Sequence, residues 1–535
     1  MYIATVPNRN SPPAILLRES YRDEGKVRTR TIANLSSFST LRIDALRRAL
    51  KGEFDSVAPT ATPECGEIFG TFFALKKLAD EIGLTEALGQ SRQAKLALFL
   101  VLCRIAHQGS RLSAVRFSKQ HALEDILGLG KFDEDDLYEA LDTLSLQQPQ
   151  LEQILYRQHI KRTGKPPALV LYDVTSSYFE GMNNELAAYG YNRDGKRGKK
   201  QIVIGLLTDI DGEPLAIRVF KGNTADPSTV VEQINVLKKQ FAINDVIFVG
   251  DRGMVKKKGQ EALEQEDFKY ITALTDAQVR TLLDKDVIQM DLFDTVLTEV
   301  EENGKRYILR RNDAVRQKEA HRIEDKLNRL NVLIEKRNEK VAQSPKACAE
   351  KGLLQLEQWL KKYKLQSFVS LTLQARMIDC KIDEELKANN RLLDGCYVMQ
   401  TNVEKTTLNT EQVDTSYRNL QRVERDFRTL KTGFLEIRPI YVRKKTRTEG
   451  HVFVAMLALK VLRCFEEKLQ RAFGTTEKNP PGLTVQDALV SLSRMIFLRY
   501  ADKGKVELRL PQPDEEQRAI LKALGITLPR RKSQM

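Results

Sequence analysis

The apolar residues of this chain change period along its length, and each change predicts a change of architecture. Ala14 to Tyr21 and Lys26 to Ala33 are β-rich runs around Arg22-Asp23-Glu24-Gly25, which predicts a hairpin. From Gly66 to about Lys161 the spacing turns helical, as in Phe72-Phe73-Ala74-Leu75-Lys76-Lys77-Leu78-Ala79. Gly164-Lys165-Pro166-Pro167 breaks that pattern. Short apolar runs then predict strands at Leu169 to Tyr172, Ile202 to Asp209, Leu215 to Phe220, Val246 to Gly250 and Tyr270 to Leu274. Asp211-Gly212-Glu213-Pro214 is the turn between the second and third. Asp226-Pro227 predicts a helix start, with the aspartate as cap and proline in the first turn, leading into Val230 to Phe241.

Farther on, Val296 to Glu302 and Lys305 to Leu309 flank Asn303-Gly304, the strongest short hairpin signal in the chain. A charged helical stretch, Asp313 to Val341, precedes a second one holding Leu353, Leu356, Trp359, Leu360 and Tyr363. Their pairing predicts a helical hairpin. Strands return at Phe368 to Leu373 and Cys396 to Thr401, and a helix at Tyr417 to Leu430. A short strand at Leu435 to Val442, a basic loop Arg443-Lys444-Lys445-Thr446-Arg447 and helices at Val452 to Phe473 and Val485 to Tyr500 follow. The order β-β-β-α-β-α-β resembles the start of the ribonuclease H fold, in which the first and fourth strands are neighbours. The expected fold class is therefore α/β: a ribonuclease H-like mixed sheet with a helical N-terminal domain and an α+β insertion. The expected organisation is a basic hairpin region (1–60), a helical DNA-end-binding domain (61–165), the first part of the core (166–280), the insertion (281–400), the second part of the core (401–480) and a helical region with a basic tail (481–535).

Composition narrows the partner. A net charge of +14 over 535 residues, with a pI near 9.3, suits a polyanion, and nucleic acid fits better than a membrane surface or a ribosomal neighbour. The hairpin arginines Arg18, Arg22, Arg28 and Arg30 suit either DNA contact or a solvated edge ribbon. Six cysteines without a CxxC pair argue against zinc clusters and disulfides. Five histidines show neither HExxH nor HxH spacing. No apolar run reaches the ~20 residues of a bilayer span. The longest, Val452 to Leu459, reads as a buried helix, and the expected location is the cytoplasm. The tail Arg530-Arg531-Lys532 is expected to add weak DNA affinity.

Two of the strand runs end in an acid, Asp173 and Asp251, and the Tyr417 to Lys431 segment adds Glu424. Neighbouring strands lie ~4.8 Å apart, so the two aspartates are able to share a cation. Three carboxylates in a basic protein suggest two Mg2+ ions working on a phosphate backbone, with Mn2+ as a common substitute. Asp173 is the expected bridging ligand, with Asp251 and Glu424 each completing one ion. Tyr417, Glu424 and Lys431 are seven residues apart, drift only ~20° per step on a helix and share a face. Leu420, Val423, Phe427 and Leu430 form the apolar stripe beside it. This puts Glu424 at the edge of a groove, partly buried, with Tyr417, Arg428 and Lys431 reaching for phosphates. Periodicity alone fits equally a surface helix in which Glu424 pairs with Arg428, a contact worth ~0.2 to 0.5 kcal/mol.

Asp173-Val174-Thr175-Ser176, Gly222-Asn223-Thr224-Ala225-Asp226, Gly250-Asp251-Arg252-Gly253 and the Tyr417 to Lys431 segment together resemble the DDE transposases of bacterial insertion sequences, nearest the IS-four superfamily. That branch carries tyrosine, two residues, arginine, three residues, glutamate, six residues, lysine, and Tyr417, Glu424 and Lys431 fall in register. Leu420 stands at the arginine position, where Arg418 or Arg422 would have to supply the phosphate contact. The resemblance covers roughly Ala168 to Leu459. It implies metal-dependent cleavage at the terminal inverted repeats and attack of the freed 3′-hydroxyl on target DNA, by an assembly of at least two copies. An inactive DNA-binding relative and a hydrolytic nuclease of the same fold are the alternatives, while glycoside hydrolysis suits the arginine-rich helix poorly. Trp359 fits either a stack on a flipped base or helix packing. Arg252 fits a phosphate contact or a salt bridge. Asn223 and Asp226 are near the expected metals, with helix capping sufficient for Asp226, and Thr175 fits a hydrogen bond within the strand end.

Overall fold

The buried runs after Gly164 assemble into one eight-stranded sheet in a computed structural model. The structure describes the chain apart from residues 10, 54–63, 182, 244–245, 253, 256, 345, 439, 475–481, 503–504, 511 and 530–535. Arg530-Arg531-Lys532 therefore lie outside the described residues. The sheet strands are β1 (Leu169–Tyr178), β2 (Gln201–Asp209), β3 (Pro214–Lys221), β4 (Ile247–Gly250), β5 (Lys269–Ala273), β6 (Thr298–Glu302), β7 (Lys305–Arg311) and β8 (Cys396–Thr401). Their spatial order is β6-β7-β8-β5-β4-β1-β2-β3. β4 runs parallel to β1 and to β5, and the remaining pairs are antiparallel. The 3-2-1-4-5 order of the first five strands is the ribonuclease H-like arrangement expected from the sequence, with β1 beside β4.

Alternation along β1 decides what each face carries. Val170, Tyr172 and Val174 join one core with Val230, Ile234 and Leu237 from the crossover helix Asp226–Asn235 and the wide turn after it. Asp173 points the other way, toward the face on which the helix Leu420–Arg428 packs. Leu420, Val423 and Phe427 of that helix are buried, as its apolar stripe predicts. Its buried Asp426 also pairs with Arg463 of the long helix Lys445–Phe473.

Both predicted hairpins form. Glu24 and Gly25 have φ of 50° and 79°, and Asn303 and Gly304 have 51° and 70°. Two successive left-handed residues match the right-handed twist of the flanking strands. The second hairpin, β6-β7, extends the core sheet through β8. Between β7 and β8 lie the predicted paired helices, Asp313–Gln343 and Ala349–Tyr363, which enclose a small core with the hairpin Val369–Gln374 and Met377–Ile382. All six cysteines are free. No helix among the described residues is long and apolar enough to cross a membrane.

By compactness the chain divides into two units. One holds residues 1–71, 120–122 and 486–535. It contains the sheet Tyr2–Val6, Ala14–Asp23 and Lys26–Asn34, and a second three-stranded sheet built from Glu64–Ile68, Ile496–Asp502 and Lys505–Arg509. The other holds residues 72–119 and 123–485, with the core sheet and the helices Arg92–Ala106, Glu134–Thr163 and Lys445–Phe473.

Several elements differ from the sequence expectation, each for a physical reason. β1 runs five residues beyond Asp173, because Thr175, Ser176 and Ser177 are buried within the β1-β2 ladder despite their polarity. Asp173 is thus mid-strand, whereas Asp251 directly follows β4. Asp226 is the first helical residue and not the cap, which is Ala225. Its carboxylate instead accepts from Arg193 Nη2 at 2.6 Å. Among the described residues of Leu435 to Val442 the pairing is an isolated bridge, Phe179 to Ile440, although Leu435, Ile437, Ile440 and Val442 are buried. The basic run is no loop beyond Lys444, since Lys445 opens the long helix and Arg447 Nε donates to Asp142 at 3.0 Å. Val485 to Tyr500 is a helix only to Ser493, after which Ile496–Asp502 is a strand. Glu64–Ile68 is likewise a strand, although helical spacing was expected from Gly66 onward, and it is fixed by long-range pairing with that same strand.

Candidate active site

The β1-β4 register brings the two aspartates together. Tyr172 lies beside Gly250 in the parallel ladder, so the next residue on each strand is an aspartate. Gly250 leaves the tight space this needs, since a Cβ there would come within 2.7 Å of Val255 Cγ2. Glu424 arrives from the helix packed on β1. Asp173, Asp251 and Glu424 line one cavity of about 340 Å³. Asp173 is part-buried, while Asp251 and Glu424 are exposed at the cavity wall. Glu424 is thus less buried than the edge of an apolar stripe suggested.

The electrostatics of Asp173 follow from this grouping. Its carboxyl is pushed up to about 7, first by burial and then by the negative charges of Asp251 and Glu424. The Val174 amide, which donates to Asp173 Oδ1 at 2.7 Å, and the charge of Arg193 act in the opposite direction. Tyr417 Oη donates to Asp251 Oδ1 at 3.0 Å. Burial, and then the neighbouring Asp251 charge, push the Tyr417 phenol well above its usual range. Tyr417 is therefore a protonated donor to a carboxylate, and this is where the expected phosphate contact finds it.

Cations frame the acids. Arg252 lines the cavity and stands 3.7 Å from Asp276, a loose exposed pair. Arg310 from β7 and Arg418 from the helix Thr410–Arg418 both line it and share the buried Asp414, at 3.1 and 2.8 Å. Arg418, one of the two arginines expected to stand in for the one missing at Leu420, lines the cavity. Leu420 is 7% exposed, and Arg422 is turned away onto Ile210 O at 2.9 Å and Asp211 at 3.2 Å. Arg310 and Asp414 carried no sequence signal, because only the joining of β7 to the core sheet brings them here.

The remaining expected site residues lie elsewhere. The chain turns at Asn419 between Tyr417 and Glu424, which still line one cavity, whereas the wide π-helical turn at Thr429–Gly433 carries Lys431 out of that lining. Lys431 Nζ donates to Asp194 Oδ1 at 2.8 Å, and the Asp194 side chain is 2% exposed. Burial pushes the Lys431 ammonium down, against the pull of Asp194. Arg428 is exposed and outside the cavity lining. Trp359 packs with the paired helices, its ring 4.4 Å from that of Tyr363. Asn223 is exposed in the turn after β3, and Thr175 is buried in mid-strand.

The donor chemistry fits hard divalent cations, since three carboxylates line one cavity and the charges of Asp251 and Glu424 add to the cost of ionising Asp173. The protein side chains do not close around a point. Among the described residues no group of three His, Cys, Asp or Glu is near enough to hold an ion by itself.

Two family models match the chain: the IS1634 family transposase N-terminal domain over residues 3–62 and the transposase DDE domain over residues 159–460. The comparison with curated proteins found no match. Among solved structures, a cryo-EM structure of the piggyBac transposase synaptic complex with hairpin DNA aligns at 10% identity and a TM-score of 0.34, covering 87% of this chain and 82% of that chain. The Mos1 transposase paired-end complex with left transposon end aligns at 12% identity and a TM-score of 0.15, covering 28% of this chain and 52% of that chain. The DDE domain match takes in more than half of the sequence, including both aspartates and Glu424, and the chain belongs to the DDE transposases of insertion sequences.

Proposed function

We propose that this transposase cuts DNA at the ends of its element and joins them to target DNA through Asp173, Asp251 and Glu424. One observation carries the reading: the three acids, from two adjacent strands and one helix, line a single cavity that also holds Arg252, Arg310 and Arg418. Asp173, Asp251 and Glu424 would together hold two Mg2+ ions, or Mn2+ in their place. Oxygens of phosphate and water would complete the shells. When bound, the ions supply a more nucleophilic attacking oxygen and a neutralised leaving oxygen.

The chain's own residues do the rest. Tyr417 fixes the Asp251 carboxylate through its hydroxyl and leaves Oδ2 for a ligand role. Arg418 and Arg310, tethered by Asp414, face the phosphate backbone as fixed cations, and Arg252 does so with less restraint. The DNA would be the element's terminal inverted repeats and a target duplex, held by a homodimer in the cytoplasm. The spacing of Tyr417, Glu424 and Lys431 supports placement in the IS-four superfamily. Residues 1–60 and 61–165 would contribute end binding, 281–400 would be the insertion between the two core parts 166–280 and 401–480, and 481–535 would close the chain.

Glu424→Gln tests the assignment in gel-shift and nicking assays on element-end DNA. End binding should stay within about twofold while cutting falls below detection, because only the charge of one carboxylate is lost. Retained cutting removes Glu424 from the site.

A further inference from the structure

The loop between β1 and β2 concentrates charge and aromatic surface that the acid site does not use. Residues 189–200, Tyr-Gly-Tyr-Asn-Arg-Asp-Gly-Lys-Arg-Gly-Lys-Lys, carry five Lys or Arg side chains and one acid. That acid is the buried Asp194, which accepts from Lys431 Nζ at 2.8 Å, from Arg438 and from the Tyr178 amide at 3.1 Å. The Arg193 amide donates to Ser176 Oγ at 2.9 Å, and Gln201 Nε2 donates to Tyr191 O at 3.1 Å. The loop is thus pinned to the strand that carries Asp173; Arg193 pairs with Asp226 at 2.6 Å and Lys199 with Glu180 at 2.7 Å, and Lys196, Arg197 and Lys200 add further positive charge.

Two large rings stand on this pinned loop in solvent. Tyr189 is 66% exposed and Tyr191 is 83% exposed. Each already has a cation over its ring, Lys200 Nζ at 6.0 Å from the Tyr189 centroid and Arg193 Cζ at 5.8 Å from the Tyr191 centroid. An aromatic face beside a fixed cation matches a nucleotide, whose base stacks while its phosphate meets the charge. Bases in an intact duplex offer no free face, so this chemistry selects unpaired nucleotides. The Ser176 anchor lies three residues beyond Asp173 on β1, which ties the loop to the strand that carries the first acid.

We infer that the Tyr189 to Lys200 loop is a docking surface for single-stranded DNA, holding the strand unpaired next to the phosphate that is cut. The inference rests on the proposed DNA-cleaving reading. It also gives Lys431 a role as a positioning residue, which anchors the loop through Asp194 without meeting a phosphate itself.

The test is fluorescence anisotropy of the full chain with a labelled mixed-sequence oligonucleotide, single-stranded or as a blunt duplex, with no divalent ion present. Tyr189→Ala/Tyr191→Ala should weaken single-strand binding about tenfold, with duplex binding within about twofold. Lys196→Ala/Arg197→Ala should lower the slope of log affinity against log salt on the single strand by about 1.4. A tyrosine variant that loses less than about threefold on the single strand, or loses as much on the duplex, overturns the inference, as does a wild-type chain without single-strand affinity. Both tyrosines are exposed, and an unchanged melting temperature confirms that the fold is intact. Cutting is scored separately on the same wild-type preparation. Loss of the cutting reading alone leaves the binding result standing, and normal cutting by a tyrosine variant with unchanged single-strand affinity removes the loop alone.

Discussion

The hydroxyl of Tyr417 donates to the carboxylate of Asp251 at 3.0 Å, across 166 residues of sequence. The contact joins the end of one helix to the end of β4 and fixes one acid of the site before any ligand binds. Tyr417→Phe keeps the ring and deletes this donor. A hydrogen bond to a charged group is worth roughly 1.5 to 3 kcal/mol, so cutting should fall about 10- to 100-fold. DNA affinity should be unchanged, since the lost donor faces a carboxylate. Single-turnover cleavage beside gel-shift titration checks this, and a loss of affinity with intact cleavage would mean that Tyr417 meets phosphate instead.

Asp173 predicts how ion binding depends on pH. A carboxyl pushed up to about 7 by burial and its acidic neighbours still holds a proton in much of the population at pH 6 and has lost it at pH 8. A cation competes with that proton, so Mg2+ binding should tighten as pH rises through this window and release up to one proton below it. Calorimetry in buffers of different ionisation enthalpy measures both. Asp173→Asn should abolish the dependence, and flat affinity from pH 6 to 8 in the wild-type chain would contradict the grouping of the acids.

His451 predicts a stability limit on the acid side. Its Nε2 donates to Ile437 O at 3.0 Å and its Nδ1 accepts from Arg111 at 2.6 Å, a pattern that needs the neutral ring. Burial, then Arg111 and Arg104, hold its pKa well below the usual value. The unfolded chain takes up a proton near pH 6.5 and the folded chain does not, so stability is full above that point. It falls as pH drops below it, by at most about 1.4 kcal/mol per unit. Melting temperatures from pH 7.5 to 5.5 should fall more steeply in the wild type than in His451→Gln. Parallel curves would show that the ring titrates normally in the fold.

Arg418 should behave as a backbone-contacting cation. Arg418→Ala should weaken binding to end DNA and to unrelated duplex alike, and lower the salt slope by about 0.9. Arg422→Ala, whose guanidinium is spent on Ile210 O and Asp211, should leave that slope unchanged. Equal slopes for the two variants would dismiss Arg418 as the substitute for the arginine missing at Leu420.

The legible part of this fold was local. Asn303-Gly304, Gly164 and the apolar runs of β2 and β4 announce themselves through backbone preference and burial, and the pairing of β1 with β4 follows from strand order. What escaped depends on distant partners. Glu64–Ile68 and Ile496–Asp502 are strands because they pair across more than four hundred residues, and Arg310 meets Asp414 because β7 joins the core sheet. That Asp173, Asp251, Glu424 and Tyr417 line one cavity followed from motif and spacing. The position of Lys431 did not, because one wide turn after Arg428 breaks the helical period on which its placement rested.

The most direct test of the account is excision and integration of a marker flanked by the DNA that neighbours this gene, driven by the wild-type chain or by Asp173→Asn. The account predicts movement with the wild type and none with the variant, although the variant still binds the flanking ends. Movement that persists in Asp173→Asn would contradict the assignment of the carboxylate at the centre of the site.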